Sequence, residues 1–98
     1  MSDGYETLRD ILDAAYKQAS AGKGRERHAN DKPFHDQPIM HIARKRGIGF
    51  PLGQADKKSE EAQGMIERGQ VDAAIRELLG SIVYTAAAIM LLKERDDA

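Results

Sequence analysis

Apolar positions recur at intervals of three and four over most of this chain, and no stretch alternates apolar and polar residues as a half-buried strand does. Tyr5, Leu8, Ile11, Leu12, Ala15, Tyr16 and Ala19 give one stripe on a helix predicted over 4–20. Ser2 or Asp3 can cap its start, and Glu6 and Asp10 suit its early turns. Gly22 and Gly24 are expected to end it. A basic, irregular segment over 21–35 follows. A short helix is expected over 36–46, capped by Asp36, with Pro38 in its first turn and Ile39, Ile42 and Ala43 on a narrow apolar face. Gly47, Gly49, Pro51 and Gly53 break the chain again, and Ile48, Phe50 and Leu52 between them are expected to plug that loop into the core.

The third long helix is predicted over 53–68, with a thin stripe of Ala55, Ala62, Met65 and Ile66, ended by Gly69. The fourth, over 70–95, is apolar on more than one face, from Val71 to Leu92. A helix that apolar is buried or shared with another subunit. Small residues (Gly80, Ser81, Thr85 and Ala86 to Ala88) suit close helix packing, and the apolar run after Glu77 is short for a bilayer span. The expected architecture is all-α: one domain over 1–98, a three- to four-helix bundle with a C-terminal antiparallel helical hairpin, oligomeric through residues 70–92.

A chain of 98 residues buries a modest core, and without cysteine it has no disulfide to reinforce it. The lack of cysteine and of a signal-like opening leads to an expected cytoplasmic location, and no membrane insertion is expected. Fifteen cations stand against sixteen anions, a balance that argues against a duplex nucleic-acid binder. The cations are not spread evenly. The stretch from Gly22 to Arg46 carries all three histidines and more Lys and Arg than acids, which suits a small anionic ligand.

Lys23, Gly24, Arg25, Arg27 and His28 form the first candidate site. Glycine brings backbone N–H groups close to an anion, and the cations add charge-assisted bonds to phosphate. The spacing is not that of a P-loop. Phe34, His35, Gln37 and His41, with Tyr5 or Tyr16 nearby, form the second: a ring to stack on a base, and an amide and imidazole to read its edge. Gln37 and His41 lie four apart and would share a helix face. The plainer alternatives are a solvated charged loop and a core phenylalanine flanked by exposed histidines. His28, His35 and His41 match no zinc-ligand spacing. Asp56, Glu60, Gln63 and Glu67 run along one helix and Glu77 starts the next. Clustered carboxylates of this kind can hold magnesium, or can simply form a solvated face with Lys57 and Lys58.

Glu60-Glu61-Ala62, followed by Glu77-Leu78-Leu79-Gly80-Ser81-Ile82-Val83-Tyr84, resembles the MazG-like all-α nucleoside triphosphate pyrophosphohydrolases over residues 53–92. That resemblance implies a helical, oligomeric protein with magnesium on Glu60 or Glu61 and on Glu77. In size and style the chain also resembles small helical proteins of tailed phages, some of which sequester signalling nucleotides of host defence. The expectation that follows is a non-catalytic, cofactor-free binder of a nucleotide or other phosphorylated molecule. A protein-interaction module acting on a host partner through the basic loop, and a magnesium-dependent pyrophosphohydrolase, are the alternatives.

Overall fold

The computed structural model describes residues 2–21 and 32–97. Among these residues four α-helices and one 3₁₀ turn follow in order: α1 (Glu6–Ala21), the turn Phe34–Asp36, α2 (Pro38–Arg46), α3 (Gly49–Glu67) and α4 (Val71–Asp97). No strand occurs among the described residues, so the fold is all-helical.

The helix ends follow from local chemistry. Before α1, the Asp3 carboxylate accepts from the Tyr5 N–H at 2.9 Å and the Glu6 carboxylate accepts from the Asp3 N–H at 2.9 Å. Glu6 is held below the usual carboxylate range, first by the Ser2 hydroxyl and then by backbone N–H groups. Pro38, not Asp36, decides where α2 begins. Its ring fixes a helical φ and forces Gln37 into extended backbone at the cap, leaving Asp36 in the preceding 3₁₀ turn. Gly47 ends α2 at φ +95°, a conformation costly for other residues.

The expected loop over 47–53 is shorter than its glycines and proline suggest, because α3 already starts at Gly49. Pro51 is its third residue, where an N–H has no intrahelical partner to lose. Phe50 and Ile48 do pack on the core, whereas Leu52 is exposed. At the far end of α3, Gly69 takes φ +75°, with the Gln70 N–H donating to the Met65 carbonyl and the Gly69 N–H to that of Ile66. This pair of bonds turns the chain directly into α4.

α4 is the element against which α1, α2 and α3 all pack. The core cluster is small: Met40 and Ala43 from α2 meet Ala87 and Leu91 from α4, with Phe34, Ile39, Ile48, Phe50 and Met90 around them. Phe50 meets Tyr84 edge to face at 6.1 Å between ring centres. Along α3, small residues let the two backbones approach. The Ser81 hydroxyl donates to the Ala55 carbonyl at 3.0 Å, Ser59 lies 3.3 Å from Ser81, and Lys58 pairs with Glu77 at 3.3 Å. Gly80 leaves room for the Lys58 stem, which would lie 2.9 Å from a Cβ there.

α1 departs most from expectation. Of its predicted core stripe only Ala15 is buried, while Tyr5, Leu8, Ile11, Leu12 and Tyr16 remain 46–73% exposed. The reason is topological. α1 packs chiefly on α4, whereas α2 and α3 occupy other parts of that helix.

Arg44 ties α2 to the end of α4. Its guanidinium donates to both Glu94 carboxylate oxygens, at 2.9 and 2.6 Å, and to the His35 carbonyl at 2.7 Å. Hydrogen bonding to Arg44 holds the Glu94 carboxyl below the usual 4.5 and raises Arg44 in turn. A carboxylate depressed in the folded state stabilises it above the unfolded value, and that contribution disappears as pH falls through the folded one. Glu94→Gln is therefore expected to lower the thermal midpoint at pH 7, with the gap to the parent protein closing as pH drops below 4.5. Met40→Ala, which empties a fully buried position, is expected to cost about 2–5 kcal/mol in urea unfolding.

Candidate ligand-binding site

A cavity of about 710 Å³ opens between α1, the 3₁₀ turn and α4. That volume lies within the roughly 300–1,000 Å³ typical of small-molecule sites. Leu12, Ala15, Tyr16 and Ala19 form one wall, Ile82, Val83, Ala86 and Met90 another, and Phe34 closes the end. Polar groups come from Ser20, Lys32 and Gln37. The lining is chiefly apolar, with two aromatic rings and one cation.

Backbone geometry accounts for each wall. The three- and four-residue spacing of α1 turns Leu12, Ala15 and Ala19 to one side. Pro33 caps the 3₁₀ turn that presents Phe34, which is half-buried against the core. Gln37 is the buried polar residue of the described chain, 7% exposed, and its side-chain amide donates to the Lys32 carbonyl at 3.0 Å. That bond fixes the point at which the basic segment rejoins the fold.

Lys23, Gly24, Arg25, Arg27 and His28 lie outside the described residues. The residues on either side of that segment are placed: Ser20 and Lys32 both line the cavity. Of the second candidate group, Phe34 and Gln37 come together there, with Tyr16. His41 does not join them. Gln37 precedes α2 in extended backbone and points inward, while His41 is exposed one turn into the helix, so their spacing of four does not put them on one face. Tyr5 is exposed and lines no part of the cavity. His35 is exposed beside Asp36, 3.6 Å away.

The carboxylates of α3 and α4 do not converge. Glu77 pairs with Lys58, Glu61 lies 3.8 Å from Lys57, and Glu60 is exposed. No group of three His, Cys, Asp or Glu side chains among the described residues is placed to hold a metal ion. Lys58 also stands 6.0 Å from the Tyr84 ring centre, where it reinforces the contact between α3 and α4. The contribution of Ile82, Val83, Ala86 and Met90 to the cavity was missed in the sequence. Their periodicity marks α4 as apolar without saying which positions face α1.

In comparisons with family models, curated proteins and solved structures, the chain matches none.

Gln37→Ala leaves a carbonyl at Lys32 without its side-chain partner. It is expected to destabilise the fold by about 1–2 kcal/mol in urea unfolding. Faster amide exchange at Phe34 and Asp36, whose turn adjoins that carbonyl, should accompany it.

Proposed function

We propose that this protein is a non-catalytic binder of a nucleotide or a related phosphorylated molecule. The base would enter the cavity between α1 and α4, and the phosphate would meet the basic segment. One observation carries the reading. Ser20 and Lys32, which flank the cation-rich stretch in the chain, line the same aromatic-bearing cavity. A ligand seated there would therefore have apolar and aromatic surface on one side and the cations Lys23, Arg25, Arg27 and Lys32 close along the chain.

Tyr16 and Phe34 supply faces suited to a base, and Gln37 supplies an amide of the kind that reads a base edge. In this reading α3 and α4 act as an antiparallel hairpin whose packing holds Ile82, Val83 and Met90 in place. The reading needs no nucleophile or metal, because retention of the ligand is the whole activity.

Calorimetry with mono-, di- and cyclic nucleotides tests this directly. Saturable binding of at least one class is expected. Tyr16→Ala, at a largely exposed position, is expected to weaken it about tenfold by removing a stacking face. Arg25→Ala with Arg27→Ala is expected to weaken it further and to flatten its salt dependence. Flat traces across the whole panel would remove the proposal.

A further inference from the structure

The exposed side of α4 has a regular spacing of its own. Val71, Ile75, Leu78, Ile82, Ile89 and Leu92, with Thr85 completing the series, succeed one another at intervals of four, three, four, three, four and three. Val71, Ile75, Leu78, Ile89 and Leu92 are 41–54% exposed, Ile82 is half-buried and Thr85 is exposed. A 3.5-residue repeat held for three heptads is the pattern of a coiled-coil seam. Such a seam would run for about 32 Å at 1.5 Å per residue.

Two occupants other than a protein helix can be weighed. A core of this chain is one, and of the seam only Ile82, which shares the cavity with α1, is half-buried. A bilayer is the other. By length and composition α4 could cross one, and only 22% of its most apolar stretch is buried. The flanks of α4 argue against that solvent. Glu77 is paired with Lys58 and Glu94 with Arg44, and α3, packed along its side, carries Asp56, Lys57, Glu60 and Glu61. Lipid around α4 would have to displace that charged helix or enclose it.

Charge placement selects the partner. With Ile75, Ile82 and Ile89 at one core position of the heptad and Leu78, Thr85 and Leu92 at the other, Asp72 and Lys93 occupy the same flanking position at opposite ends. Both are exposed. A parallel second copy would set like ends together. An antiparallel one brings Asp72 beside Lys93 of the second copy, twice over by symmetry.

We infer that two copies of this chain associate through an antiparallel α4–α4 seam. Ile75 layers on Leu92 of the other copy, Leu78 on Ile89 and Ile82 on Thr85. α1, whose own apolar stripe is exposed beside α4, joins the same interface and makes it a four-helix bundle. The inference does not rest on the ligand reading, although Ile82 and part of the α1 stripe belong to the cavity wall as well as to this interface.

Sedimentation of the full chain at micromolar concentration should give a dimer in the absence of ligand and lipid. Ile89→Glu is expected to weaken association roughly 100-fold or more by burying an unpaired charge. Asp72→Lys should weaken it roughly fivefold through two like-charge contacts, and adding Lys93→Asp should restore it. That restoration does not depend on whether Ile89→Glu folds. The native chain lacks cysteine, so oxidation reports orientation. Ile75→Cys and Leu92→Cys should each stay monomeric on denaturing gels and cross-link only when mixed. A monomer at these concentrations, self-cross-linking of either single variant, or association that appears only with phosphatidylcholine–phosphatidylglycerol vesicles would overturn the inference.

Discussion

The structure depends on covering one long apolar helix with a short chain. α4 is apolar on more than one face, and the other described helices find their places by packing on it. α3 takes one side through small residues, α2 takes the C-terminal end through Met40 and Ala43, and α1 takes a third side only in part. In a chain of this length the buried cluster stays small, and much apolar surface is left facing outward. The open α1 stripe, the cavity beside it and the free heptad seam share that geometric cause.

Polar interactions decide how the helices are held where apolar contact is thin. Between α3 and α4, serine hydroxyls bond to each other and to a carbonyl across the contact, and Lys58 reaches Glu77 over Gly80. Between α2 and α4, Arg44 grips Glu94 with two nitrogens and also supports the 3₁₀ turn through His35. The second contact reaches the cavity, because that turn carries Phe34 into its wall. The α2–α4 clamp and the wall of the candidate ligand site thus share the 3₁₀ turn.

Only a small part of the candidate site, Phe34, Gln37 and Tyr16, was legible in the chain. Phe34 and Gln37 could be singled out because an aromatic and an amide beside a proline, following a cation-rich stretch, are unusual neighbours for a plain loop. Gln37 and His41 could not be told apart by spacing. Their relation depends on Pro38, which delays the helix and leaves Gln37 in extended backbone, facing inward. The α4 wall was not legible, because a helix apolar on several faces does not announce which face meets which neighbour. Glu60, Glu61 and Glu77 looked like one group along the sequence, yet Lys57 and Lys58 draw two of them into separate ion pairs.

By itself the sequence determined the helical class, the order of the elements and most of their ends, because periodicity, proline and glycine act over a few residues. It also contained the four-three repeat of α4, which is a property of spacing alone. Tertiary structure decided which stripe became core. Burial is a contest among faces for the same neighbours, and α1 keeps most of its stripe exposed while α2 and α3 bury theirs against α4. It likewise decided that the residues flanking the basic segment meet at one cavity, since that depends on how α1 and α4 lie against each other in space.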